Sequence, residues 1–96
     1  DTPILAIDDV ESAYYLRMEA EDKPGVLAEV SETFAKHNIS IEAVLQKEPA
    51  SGERSVRLVM LTQKCVESSV NHAIKVVEEM PSVQGDVVRI RMEHLD

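Results

Sequence analysis

The chain has 96 residues, 44% of them hydrophobic, and its ten basic and eighteen acidic side chains leave a net charge of −8 at pH 7. That is the size of one domain, and a chain this long buries on the order of 60 to 65% of its unfolded surface, enough for a core without covalent staples. The acidic balance disfavours nucleic acid and anionic membranes as partners, no Trp and only two Tyr and one Phe leave no platform for stacked bases, and the single cysteine, Cys65, excludes an intrachain disulfide or a thiol-pair metal site.

No apolar run reaches membrane length and no signal segment is present, so a cytoplasmic location is expected. The chain opens on Asp1 rather than methionine and reads as a piece of a longer protein. Residues 1–13, with Thr2-Pro3-Ile4-Leu5 and the acidic Asp8-Asp9-Val10-Glu11, read as a connector from an upstream domain, and residues 14–96 as the folded domain.

From Tyr14, the apolar Leu16, Met18 and Ala20 alternate with Tyr15, Arg17 and Glu19, the period of a strand with one buried face. The run Asp22-Lys23-Pro24-Gly25-Val26-Leu27-Ala28 then turns the chain into a helix. Asp22 is placed to cap its first turn, Pro24 needs no donor there, and Gly25 allows close approach of a backbone or a ligand. Val26, Leu27, Val30 and Phe34 recur at helical spacing, which predicts a helix from about Gly25 to His37, ended by Asn38.

Ile39, Ile41, Ala43 and Leu45 alternate with Ser40, Glu42, Val44 and Gln46 in a second strand, Pro49-Ala50-Ser51-Gly52 reads as a hairpin loop, and a third strand is expected over Val56 to Thr62. Val66, Val70, Ala73, Ile74, Val77 and Met80 form one face of a second helix that Pro81 stops, and beyond Gly85 the residues Val88, Ile90 and Met92 alternate with Val87, Arg89 and Arg91 in a last strand. The order strand, helix, strand, strand, helix, strand is that of an α+β, ferredoxin-like βαββαβ fold. Right-handed crossovers give a four-stranded antiparallel sheet with both helices on one face and the strands in the order four, one, three, two.

Two surfaces follow from that arrangement. The second strand lies at an edge and is unusually apolar for an exposed one, so pairing with a second copy through residues 39–46 is expected, giving a homodimer. The sheet face without helices, expected to offer Tyr15, Arg17, Val44, Arg89 and Arg91, is a second candidate surface for a partner domain.

A free amino acid presents a carboxylate, an ammonium and a side chain, and the turn has groups for each. The backbone N–H groups of Gly25, Val26 and Leu27 at a helix N-terminus suit the carboxylate; Asp22, the Asn38 side-chain carbonyl or free edge-strand carbonyls suit the ammonium. Ile39 and Ile41 would form an apolar wall, donated by a neighbouring copy, and Asn38, Ser40 or Gln46 could bond a side-chain hydroxyl. Read alone, Asp22 to Gly25 is equally a good helix start and Asn38 a helix cap. His37, His72 and His94 show no metal-ligand spacing, and there is no glycine-rich dinucleotide fingerprint, phosphate loop or nucleophile motif, so no catalytic, cofactor or metal residues are expected here.

The turn followed one helix later by Asn38-Ile39-Ser40-Ile41 resembles the ACT domain, a small amino-acid-sensing module of metabolic enzymes. With Tyr14-Tyr15-Leu16-Arg17-Met18, the run from Ile41 to Pro49, Val59-Met60-Leu61-Thr62 and Arg89-Ile90-Arg91-Met92-Glu93, the chain is similar to the C-terminal regulatory domain of homoserine dehydrogenase. The resemblance implies threonine as ligand and feedback inhibitor, and an upstream catalytic domain that uses NAD(P) to interconvert homoserine and aspartate semialdehyde. Two other readings stand beside it: a ligand-free ACT dimerisation module, and an ACT sensor of another amino acid in a different enzyme.

Overall fold

Strand β1, Glu11–Glu21, is the spine of the sheet, and its alternation is the one read from the sequence: Tyr14, Leu16, Met18 and Ala20 are buried while Tyr15, Arg17 and Glu19 are half-buried. The computed structural model describes residues 11–47 and 54–92. The elements that follow are α1 Val26–Lys36, β2 Ile41–Lys47, β3 Ser55–Thr62, β4 Cys65–Val66, α2 Glu67–Glu78 and β5 Val83–Met92. Glu11, Ser12 and Ala13, expected in the connector, belong to the sheet, because Ala13 pairs with Met92 and the two residues before it pair with β4. Residues 1–10 and the expected hairpin loop Pro49 to Gly52 lie outside the described residues.

All described pairings are antiparallel, and the strand order β5-β1-β3-β2 is the expected one. The additional strand β4 extends β3. Only Gln63 and Lys64 separate them, too few residues to cross β1, and β4 pairs with β1 in a register one residue out of step with β3. Where the ladder breaks, side chains take over: the Tyr14 amide donates to the Thr62 hydroxyl at 3.0 Å and the Cys65 thiol donates to the Ser12 carbonyl at 3.6 Å.

The core lies between sheet and helices. Leu16, Met18, Leu58 and Met60 from the sheet meet Val30 and Phe34 from α1 and Val70 and Val77 from α2, all at most 1% exposed. Burying such side chains is worth about 1.5–3 kcal/mol each, which is why both helices lie on this one face of the sheet.

Two strands present faces other than those expected. A register shift between Ile41 and Ala43 puts Glu42 in a bulge, so Val44 pairs with buried Met60 on the helix side while Ala43 and Leu45 pair with Leu61 and Val59 on the open side. In β5, Arg89 and Arg91 pair with Leu16 and Tyr14 and therefore share the helix side, where Arg89 bonds Asn71 and Arg91 bonds Glu67 of α2. Val88 and Ile90, opposite Arg17 and Tyr15, occupy the open face, where Val44, Arg89 and Arg91 had been expected.

Candidate functional site

The turn after β1 is held by backbone bonds. The Asp22 amide donates to the Arg54 carbonyl at 2.8 Å and the Lys23 amide to the Glu21 carbonyl at 3.0 Å. Gly25 occupies the N-cap position of α1 with φ of 89°, and no side chain caps the helix, so Asp22 does not take the capping role expected of it. A Cβ at Gly25 would meet no atom within 4 Å, so the glycine is required by its left-handed backbone rather than by close approach. Of the amides expected to face a carboxylate, that of Val26 already donates to the Lys23 carbonyl at 3.4 Å.

A groove of about 470 Å³ beside this turn is lined by Glu21, Asp22, Lys23, Arg54 and Gln84. The Glu21 carboxylate, 2.7 Å from the Lys23 ammonium, holds that ammonium above its ordinary pKa, and the groove carries two cationic residues, Lys23 and Arg54, beside two carboxylates. A cavity of about 30 Å³ lies behind, where Val26, Leu27 and Gln46 meet Val56 and Leu58; the bulge at Glu42 is what turns Gln46 toward it.

The other predicted ligand residues sit at the far end of α1. Asn38 has φ of 62° and ends the helix with a paired set of bonds: its amide donates to the Ala35 carbonyl and that of Ile39 to the Phe34 carbonyl, both at 3.0 Å. Asn38, Ile39, Ser40 and Ile41, with Ser31 and Ala35, line a groove of about 600 Å³. Ile39 is 2% exposed and packs in the core, so Ile41 is the more accessible apolar residue there, and the Ser40 carbonyl accepts from the Gln63 amide at 2.9 Å.

An eleven-residue helix is about 16 Å long, which divides the predicted residues into two groups that one amino acid cannot touch together within a single chain. Asp22, Gly25, Val26, Leu27 and Gln46 are gathered at one end; Asn38, Ile39, Ser40 and Ile41 at the other. Sequence reasoning missed Lys23, Arg54 and Gln84. Lys23 stands inside the turn motif, but Arg54 and Gln84 reach it only through strand pairing. Among the described residues no group of three or more His, Cys, Asp or Glu could hold a metal, and no helix is long and apolar enough to cross a membrane.

Residues 14–81 match the family model of the ACT domain. The chain is 47% identical over 95 residues to a homoserine dehydrogenase of Methylobacillus glycogenes, covering 99% of this chain and 23% of that protein, and 44% identical over 96 residues to that of Pseudomonas aeruginosa, covering 100% of this chain and 22% of that protein. It superimposes on a crystal structure of a homoserine dehydrogenase from Thiobacillus denitrificans with a TM-score of 0.83 and 44% identity, over 97% of this chain and 20% of that one. The ACT domain of a GTP pyrophosphokinase from Chlorobium tepidum shares the fold at 16% identity and a TM-score of 0.59. The chain thus spans less than a quarter of the homoserine dehydrogenases it matches.

Proposed function

The chain belongs to the ACT domain family, and we propose that it is the regulatory, amino-acid-binding unit of a homoserine dehydrogenase, with threonine as ligand and feedback inhibitor. The parent enzyme would carry its NAD(P)-dependent chemistry in its other part, and this chain would contribute no catalytic residue. The kinship with homoserine dehydrogenases supports the parent, and threonine is the end product that such a parent would sense.

The observation that carries the binding site is the division of the candidate residues between the two ends of α1 beside an exposed edge strand. Strand β2 runs from the Asn38 end back to the turn end, so antiparallel pairing of β2 with its copy about a two-fold axis sets Ile41 of one chain near Lys47 of the other. Each turn, with Gln46, then faces the partner's Asn38-to-Ile41 segment, and two composite sites result. Ligand bound between them would favour one docking angle of the pair, with coupling to the rest of the enzyme typically of ~1 to 3 kcal/mol.

Thermal unfolding of the chain against a panel of amino acids tests this reading. A ligand at a hundred times its Kd adds about 2.7 kcal/mol, several degrees for a domain of this size. Threonine is expected to raise the melting temperature and valine to leave it unchanged; a response to another amino acid discards the named pathway. The engagement of the Val26 amide and of the Asn38 backbone in internal bonds favours one second reading, a ligand-free dimerisation module. That version shows concentration-dependent association and no response to any amino acid.

A further inference from the structure

The strand registers arrange the open face of the sheet in rows that cross all four long strands. One row is Ala43, Leu61, Tyr15 and Ile90; the next is Leu45, Val59, Arg17 and Val88; the third is Lys47, Arg57, Glu19 and Gln84. The first two rows are apolar apart from Arg17, and the third is polar throughout, with Arg57 paired to Glu19 at 2.8 Å. Leu45 is 65% and Ile90 54% exposed, the most exposed large hydrophobic residues described. A contiguous apolar area of this kind marks a contact surface.

Three observations say what covers it. The apolar rows lie at the end of the sheet where Ala13 pairs with Met92, so chain before Glu11 and beyond Met92 connects at that end, whereas the turn and its polar row lie at the other. The homoserine dehydrogenases it matches are more than four times longer, so in such a protein the remaining polypeptide is tethered next to this surface at high effective concentration. Arg17, half-buried in the middle of the apolar rows, has no carboxylate partner among the described residues. Covering an unpaired guanidinium is costly unless the covering surface brings an acceptor.

We propose that the two apolar rows are the seat on which the rest of the polypeptide docks, through an apolar surface that presents a carboxylate to Arg17. The inference rests on the chain being one domain of a dehydrogenase and not on its ligand. It leaves the turn and the β2 edge free, so docking and ligand binding occupy separate surfaces.

Side-chain footprinting of the full-length polypeptide tests the seat without mutation. Leu45 and Ile90 are expected to be labelled at least fivefold less than Val76, which is only 42% exposed and lies on α2 away from this face. Small-angle scattering gives the second readout: Leu45→Glu with Ile90→Glu is expected to enlarge the radius of gyration of each polypeptide, Arg17→Glu to do the same, and Val76→Glu on α2 to leave it unchanged. Labelling of Leu45 and Ile90 above that of Val76 overturns the proposal. So does a loss of assembly mass in the double variant with the shape of each polypeptide retained, which would assign the face to a second copy. Homoserine-dependent reduction of a nicotinamide cofactor by the same preparation reports the parent separately: activity with unprotected Leu45 and Ile90 defeats the docking alone, and no activity defeats the parent.

Discussion

The backbone amide of Tyr14 donates to the side-chain hydroxyl of Thr62, 3.0 Å away and inside the core. Thr62 is 0% exposed and stands where β3 ends and the chain steps by one residue into β4, so the hydroxyl replaces a ladder carbonyl that the step has removed. Its oxygen is also 3.7 Å from the Cys65 sulfur, which joins three backbone segments at one polar point in an apolar layer.

Thr62→Val keeps the shape and deletes the acceptor. The Tyr14 amide would then be buried without a partner, at a cost of about 1–3 kcal/mol. Urea denaturation is the measurement, with Thr62→Ser retaining most of the wild-type midpoint; equal midpoints for the valine and serine variants would refute the role given to the hydroxyl.

Gly25 and Gly85 both hold a positive φ, at 89° and 72°, with no atom within 4 Å of a Cβ built on either. Replacement by alanine is therefore a backbone penalty free of steric clash, about 1–2 kcal/mol at each position. Denaturation of Gly25→Ala and Gly25→Asn should show asparagine as the milder change, since its side chain tolerates the left-handed region, as Asn38 already does at φ of 62°. An alanine variant as stable as the wild type would show that the turn can relax to negative φ.

The element order, the strand order and both helices were legible in the sequence because apolar residues recur with the period of each element, as Leu16, Met18 and Ala20 do in β1 and Val70, Ala73 and Val77 in α2. Periodicity gives two faces but does not say which points inward. In β5 the arginines face the helices because Asn71 and Glu67 receive them, and no local pattern announces partners eighteen and twenty-four residues away. The bulge at Glu42 is equally silent: one extra residue sends Leu45 outward and Gln46 toward the turn. The candidate ligand residues were legible as residue types, but their division between the ends of α1 follows from helix length and from where β2 begins.

Burial pushes the Cys65 thiol above its ordinary pKa; a hydrogen bond from Thr62 pulls partly back, and the charge of Glu11 adds to the rise. The folded state thus holds the proton more tightly than the unfolded chain. The stabilisation is complete below the ordinary thiol value of about 8.5 and is lost as pH rises through the higher folded value. Two outcomes are expected: slow modification by thiol reagents near neutral pH, and a decline of stability above pH ~8.5 that Cys65→Ala lacks. Parallel pH profiles for the two proteins would remove the thiol as the cause.

Arg91 and Glu67 tie the end of β5 to the start of α2 at 2.9 Å, with the Glu67 side chain 12% and the Arg91 side chain 47% exposed. Glu67, and after it the Tyr14 phenol, hold the Arg91 guanidinium above its ordinary pKa. The Tyr14 hydroxyl and the second Glu67 oxygen are both buried and have no hydrogen-bond partner among the described residues, so the Arg91 bond to the first Glu67 oxygen is what anchors this carboxylate. Arg91→Met would strand a largely buried carboxylate, so a lower urea midpoint than that of the wild type is expected. Glu67→Gln leaves a neutral acceptor and should cost less, and the two changes together should cost less than their sum, since each removes the same pair. A double-mutant cycle read by urea denaturation decides the matter: additive effects would mean that the pair contributes no coupling and that Arg91 acts through its packing alone.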